Sequence, residues 1–228
     1  MTYRWLHLRL AGPLLAFGGV AIDHVGPTRD FPSASMLTGL LANALGWRRE
    51  EVERHQALQD RLIYGALTAM EGRLLTDNQN AKLEASDKGW TTWGLPEGRG
   101  GGAETHKNRH RRRRDYLADH DCRVALRLRP GDGPVLDDLA AALDRPARPL
   151  FIGRKPCLPA APILGGWLEG ATARAALVNL GISGPAFWPA DEGDADHAPA
   201  HRKELADLRN WRSGLHGGTR IVVTGELP

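Results

Sequence analysis

The sequence contains little cysteine and no long apolar segment. Only two of its 228 residues are cysteines, Cys122 and Cys157. Two are too few for a disulfide framework, and neither has a partner at the Cys-x-x-Cys spacing of metal ligands. The N-terminus lacks the apolar core of a signal peptide, and no run of about 18 apolar residues occurs. We therefore expect reduced, structural cysteines, no metal, no membrane contact and a cytoplasmic location.

A nucleoside-triphosphate loop is also missing. The only glycine run, Gly-Arg-Gly-Gly-Gly at residues 98–102, lacks the Gly-Lys-Ser/Thr ending, and no predicted strand precedes it. This excludes the phosphate-loop class of enzymes, and we expect no cofactor.

Positive charge is present, and it is concentrated. The net charge is only +3 although the isoelectric point is about 9.1. A block of like charges between residues 105 and 114 requires either solvent or a polyanion. Because guanidinium groups favour phosphate, RNA or DNA is the expected partner, with a solvated loop as the alternative. The block consists of Lys107, Arg109, Arg111, Arg112, Arg113 and Arg114.

Two alternating patterns predict strands. In residues 122–129 apolar side chains alternate with Arg123, Arg127 and Arg129, which indicates a half-buried strand that carries arginines outward. Residues 3–10 predict a second strand, ended by Ala-Gly-Pro, with Trp5 on its second face. That face could hold nucleic acid, or Trp5 could simply cover a neighbouring element. A long connection over residues 11–32 is a candidate binding element.

The firmest predicted helix follows Ser33 and Ser35, either of which can cap it, and ends at Gly46. Its first amides, close to Arg29, would suit a phosphate, although ordinary capping explains them equally well. A charged helix over residues 48–61 and a hairpin over 62–75 come next. Residues 76–105 are polar and leave the core, so Trp90 and Trp93 are either anchors, base-stacking platforms or side chains folded back on the domain.

The second half predicts a turn at residues 130–133, a helix over 135–143 and a short strand before Gly153. Arg154 and Lys155 then suit a phosphate contact or a simple surface turn. A helix within 167–180, an acidic loop over 185–199, a helix over 203–211 and a strand over 221–224 complete the chain. Two strand-then-helix units predict a ferredoxin-like α+β antiparallel sheet with helices on one face and the other face free for RNA.

Four segments together resemble the CasD family, the Cas-five-type RAMP subunit of type I-E CRISPR Cascade. They are Leu-Arg-Leu-Ala-Gly-Pro at 8–13, Pro-Thr-Arg-Asp-Phe-Pro-Ser at 27–33, Asp-Tyr-Leu-Ala-Asp at 115–119 and Phe-Ile-Gly-Arg-Lys-Pro-Cys at 151–157. Their order and spacing make the match specific over most of the chain, and the tail Leu-Arg-Asn-Trp-Arg at 208–212 is also similar to the family. Residues 33–36 lack the basic residue and glycine usual in the family, so Arg29 is the expected substitute.

The resemblance implies a ferredoxin-like RAMP core at residues 1–148 with a thumb hairpin inserted at about 78–114, and a smaller region at 149–228 that holds a glycine loop. It implies a non-catalytic subunit that holds the 5′ handle of the crRNA and caps the Cascade backbone next to the large subunit. Contact with target DNA is left open. The RNA-binding residues expected are those of the basic block together with Arg29, Ser33, Ser35, Gly153, Arg154 and Lys155, and the stacking residues are Trp90 and Trp93.

Some relatives are ribonucleases that process the guide precursor, so a metal-independent endoribonuclease is the alternative. His106, Lys107 and His110 are suitable acid–base residue types. They lie in a very basic stretch with no carboxylate assigned to orient them, whereas a catalytic pair must be held rigidly. We therefore expect a binding subunit rather than an enzyme.

Overall fold

The computed structural model describes residues 1–20, 24–81, 110–192 and 201–228. Within these ranges the chain forms a large, mainly antiparallel sheet and four α-helices. The strands are β1 (Tyr3–Leu15), β2 (Val25–Gly26), β3 (Leu62–Met70), β4 (Arg73–Ala81), β5 (His110–Leu128), β6 (Leu164–Gly170), β7 (Gly184–Pro189), β8 (His201–Arg209) and β9 (His216–Leu227). The helices are α1 (Ala34–Ala44), α2 (Val52–Arg61), α3 (Leu136–Asp144) and α4 (Ala173–Val178).

Strand β5 organises the sheet, whose order is β6-β1-β5-β3-β7-β9-β8. One edge of β5 pairs with β1 and then, in parallel, with β2; the other edge pairs with β3 and then β4. The predicted hairpin over residues 62–75 is therefore wrong. Strands β3 and β4 follow one another along the same partner, with Met70 opposite Asp121 and Arg73 opposite Ala118. Together they form one side of a long ribbon whose other side is β5.

Helices cover both faces of this sheet. Even-numbered side chains of β1 and β5, such as Leu8 and Val124, pack with α1, α2 and α3. Odd-numbered ones, such as Trp5 and Ala125, pack with α4 in a second core. The prediction of helices on one face and a free second face is thus wrong. Trp5 is fully buried and its indole N–H donates to the Gly170 carbonyl at 2.9 Å, so it covers a neighbouring element and does not bind nucleic acid.

The arginines expected to point outward from β5 are also held by protein. Arg123 pairs with Asp121 at 2.8 Å, and Arg127 pairs with Glu192 at 2.7 Å. Each side chain is only 18% exposed. The alternation predicted the strand correctly, but the carboxylates that neutralise its arginines come from the same strand and from a distant 3₁₀ turn (Ala190–Glu192). These arginines are therefore structural ion pairs.

Several local expectations were corrected. Strand β1 continues through Gly12 and Pro13 to Leu15, because residues 14 and 15 still pair with β5. Residues 148–152 form no strand but an irregular segment, and β7 lies within the predicted acidic loop. The predicted helix over 203–211 is strand β8, which pairs with β9. Helix α1, helix α3 and the last strand were confirmed, and α4 is shorter than the range expected for it.

Both cysteines are free and buried. Burial raises the pKa of both thiols and so favours their protonated form. None of the helices in the described ranges combines the length and apolar content needed to cross a bilayer.

Candidate nucleic-acid interface

The basic block stands on a two-stranded extension of the sheet, which we call the basic arm: residues 73–81 of β4 and 110–118 of β5. Arg111, Arg112 and Arg113 lie on β5 and are exposed. Their cross-strand neighbours are Asn80, Gln79 and Asn78 respectively, so neutral amides rather than carboxylates face them. Charge that the fold leaves exposed and largely unneutralised is available to a polyanion.

The root of the basic arm is fixed to the body of the protein. Strand β2 pairs in parallel with Arg113 and Arg114, and the Arg114 guanidinium donates to the His24 carbonyl at 3.0 Å. Arg113 contacts the buried Asp115 at 3.3 Å, and that carboxylate also accepts the Thr76 hydroxyl at 2.8 Å. Of the four arginines at 111–114, Arg111 and Arg112 are consequently the least engaged with the protein.

Arg154 joins the basic arm to the segment that carries the family-like glycine. Its guanidinium donates to the carbonyls of Asp115 at 3.0 Å, Gly26 at 2.6 Å and Pro27 at 3.3 Å, and it lies over the Tyr116 ring at 4.9 Å. Nη1 of Arg114 and Nη2 of Arg154 each lie 3.0 Å from the position that a β-carbon on Gly26 would occupy. Two cationic groups therefore meet where the arm joins the body.

Gly153 is required by protein packing. Its φ is +89°, and an added β-carbon would lie 1.6 Å from the Ala16 carbonyl oxygen. The close approach that this glycine permits is thus with strand-end backbone rather than with an added ligand. Lys155, two residues further on, is exposed.

An open groove of about 820 Å³ lies between the start of α1, the 151–154 segment and the end of β8. It brings together five residues that the sequence proposed as RNA ligands: Arg29, Ser33, Ser35, Gly153 and Arg154. Arg154 lines the groove, and Arg114 and Arg154 both lie beside Gly26, so this edge of the groove is close to the root of the basic arm.

Two amides in the first turn of α1, those of Ala34 and Met36, already donate to protein acceptors. The Ser33 hydroxyl accepts from the Met36 amide at 3.1 Å, and the buried Asp207 carboxylate accepts from the Ala34 amide at 3.0 Å. Asp207 also binds Arg220 and the Tyr64 hydroxyl. Burial raises the pKa of Tyr64 well above its usual value, so it stays a neutral donor. The helix terminus is capped internally, which is the ordinary reading of Ser33.

Arg29 lines the same groove, and only part of its hydrogen-bonding capacity is used by the protein. One of its guanidinium nitrogens donates to the Ala206 carbonyl at 2.6 Å. Its Nε is buried and has no protein acceptor. The guanidinium thus has donor capacity left for an anion that enters the groove.

A family model described as CRISPR-associated protein (Cas_Cas5) matches residues 5–223. The chain belongs to the Cas5 family. The subunit CasD of the CRISPR system Cascade of Escherichia coli strain K12 is 30% identical over 175 residues, which cover 77% of this chain and 76% of that protein. The family resemblance inferred from the four motifs is confirmed.

Solved structures support this assignment at the level of the fold. A chain titled as a CRISPR RNA-guided surveillance complex superimposes with a TM-score of 0.68 at 20% identity, covering 98% of this chain and 91% of that chain. A crystal structure titled as a Cas protein gives a TM-score of 0.63 at 25% identity, covering 98% and 95%. The mixed α/β architecture with a large antiparallel sheet and few helices is therefore that of Cas5 structures.

Other predicted site residues fall outside the described ranges, namely Trp90, Trp93, Lys107 and Arg109. The same holds for His106, one of the residues considered for the ribonuclease alternative. Among the described residues, no group of three His, Cys, Asp or Glu side chains is placed to hold a metal ion.

Three groove residues were missed as ligands in the sequence: Arg209, Trp211 and His216. Arg209 and Trp211 belong to a tail segment, Leu-Arg-Asn-Trp-Arg at 208–212, that resembles the Cas5 family. This was the available signal, but the segment was assigned to a helix, which concealed its position beside α1.

Proposed function

We propose that this Cas5-family chain is a non-catalytic, RNA-binding subunit of a type I-E Cascade surveillance complex. In this proposal it holds the 5′ handle of the crRNA and caps the backbone next to the large subunit. Support comes from the family match over residues 5–223 and from the similarity to CasD, whose name places it in Cascade. A ferredoxin-like core, a thumb formed by the basic arm and a cytoplasmic location belong to the same proposal.

One observation carries it: a basic path leads from the exposed arm to the groove. Arg111 and Arg112 lie on the arm, and Arg114 and Arg154 meet at its root. Arg29 lines the groove beyond. Spaced guanidinium groups along a polar surface suit a sugar-phosphate chain, because each can bind one or two phosphate oxygens.

In the proposed mechanism, one group of residues binds the RNA backbone and another contacts the bases. Arginines neutralise phosphates and fix the path of the strand, while Trp90 and Trp93 stack on or separate bases. Ser35, Lys107, Arg109 and Lys155 are further proposed contacts. Target DNA that passes the same surface would meet the same charges.

The test is a salt titration of RNA binding by the full chain. Each phosphate neutralised on a single strand contributes about 0.7 to the log–log slope, so Arg111→Gln with Arg112→Gln should flatten the slope by about 1.4. The control is Arg145→Gln, whose side chain is 92% exposed at the end of α3, a helix that packs with α1, β1 and β6. It should leave the slope unchanged.

If the control flattens the slope by about 0.7, which is the same amount per charge removed as in the arm variant, the effect is one of net charge and the proposed path is contradicted. A purely protein-bridging subunit would show no salt-dependent RNA binding at all. A precursor RNA supplied in the same assay tests the endoribonuclease alternative. Cleavage products formed without added metal would contradict the proposal of a non-catalytic subunit.

A further inference from the structure

Arg209 is a partly buried cation for which the described part of the protein supplies no carboxylate. It ends β8 and lines the groove, and its guanidinium lies beside Gly214, whose β-carbon position is 3.2 Å from Nη2. Its neighbours differ: Arg212 pairs with Glu53 at 2.7 Å, and Arg220 pairs with Asp207 at 2.9 Å. Unlike these two arginines, Arg209 is partly buried without a carboxylate partner among the described residues.

The electrostatics around Arg209 are uncompensated. Its Nε is buried without an acceptor. Desolvation lowers the pKa of Arg209, and the nearby positive charge of Arg49 lowers it further. Both effects oppose a charged guanidinium, and both would be relieved by a bound anion. Arg29, on the same groove, has a similarly buried and unpartnered Nε.

A rigid aromatic side chain lies next to this cation. The Trp211 indole N–H donates to Gln59 Oε1 at 3.1 Å, its backbone N–H donates to Gln56 Oε1 at 3.2 Å, and its ring lies 4.7 Å from that of His55. Three residues of α2 thus fix the indole. The Arg209 guanidinium carbon lies 5.1 Å from the centroid of the Trp211 ring.

We propose that Arg209, with Trp211 beside it as a fixed wall, binds a phosphodiester of single-stranded RNA in the groove. The ligand class follows from the site: a guanidinium without a carboxylate selects an anion, and a rigid indole favours a nucleotide over a small inorganic ion. The inference rests on the proposed RNA-binding function and adds to it a specific contact at the end of β8, in the groove that Arg29 also lines.

The test uses the full chain and, as probe, a single-stranded RNA with the sequence of the repeat-derived 5′ handle. Binding is followed by fluorescence anisotropy across a salt series. Loss of one phosphate contact in Arg209→Gln should flatten the log–log slope by about 0.7 and weaken binding roughly fourfold at 0.15 M salt. Arg209→Lys keeps the charge and should restore most of the slope. Arg212→Gln removes the same charge three residues away, where Glu53 already neutralises it, and should change neither quantity.

The outcomes separate the two claims. If Arg209→Gln behaves like Arg212→Gln while the arm variant still flattens the slope, this inference is overturned and the proposed function stands. If the parent chain itself shows no salt-dependent RNA binding, the proposed function fails first. Should Arg209→Gln lose its native circular dichroism, ultraviolet crosslinking of the same RNA to the parent chain decides: RNA adducts within residues 208–216 are expected, and adducts confined to other segments contradict the site.

Discussion

Removing the Asp207 carboxylate should cost the protein a large part of its stability. The carboxylate is fully buried and accepts four well-formed hydrogen bonds. Arg220 donates at 3.0 and 2.9 Å, the Tyr64 hydroxyl at 3.0 Å and the Ala34 amide at 3.0 Å. In Asp207→Ala the Arg220 guanidinium, only 20% exposed, would remain without its counter-ion. Removal of one partner of a buried pair costs about 3–5 kcal/mol.

That loss is large against the roughly 5–15 kcal/mol by which a typical domain is stable. The measurement is urea unfolding of the full chain followed by circular dichroism, with the midpoint lowered and the slope m unchanged. Glu204→Ala, on the same strand but exposed, is the control and should change the free energy of unfolding by about 0.5 kcal/mol or less.

A second comparison identifies the cause. Adding Arg220→Met to Asp207→Ala removes the uncompensated charge, so the double variant should be more stable than Asp207→Ala alone. Two results would refute the reasoning. One is a free energy of unfolding of Asp207→Ala within about 1 kcal/mol of the parent value. The other is a double variant that is less stable than Asp207→Ala, as expected if the two substitutions were independently destabilising.

Two further predictions concern acid stability and the glycine at the 151–154 segment. Burial lowers the pKa of His7 and His120, so below a pH of about 6.5 the unfolded chain binds more protons than the folded chain, and the free energy of unfolding should fall as the pH drops. Glutamine at both positions should make this fall smaller, as measured by urea midpoints over a pH series. Gly153→Ala should destabilise the protein far more than Gly166→Ala. Both glycines have positive φ, but only a β-carbon at residue 153 would collide with backbone, at Ala16. Equal thermal midpoints for the two variants would contradict this expectation.

The sequence predicted best those elements whose determinants are local. Helix α1 was located with its cap because Ser33 and Gly46 lie next to the apolar residues they bound. Strand β8 was mistaken for a helix, since its short charged sequence has no strong period of its own. Its conformation is imposed by pairing with β9 and by the buried position of Asp207.

The candidate site was predicted only in part for the same reason. The basic block is one contiguous run of sequence, so its charge was visible without a fold. The groove joins Gly18 to His216, and nothing within either segment indicates the other. Carboxylates were equally hidden: Glu192 neutralises Arg127 from 65 positions away, and Asp207 occupies the amide at Ala34 from 173 positions away.

The position of β5 also bears on how the chain folds as it is synthesised. Leu6 of β1 pairs with Leu126, and Tyr3 pairs with Gly170. The first strand therefore leaves the ribosome with no hydrogen-bonded neighbour on either edge. It can pair with β5 only after more than half of the polypeptide has emerged. Contacts so distant in sequence slow folding and prolong the exposure of an apolar strand. This chain should consequently depend on chaperones during translation, and fragments that end before β5 should aggregate.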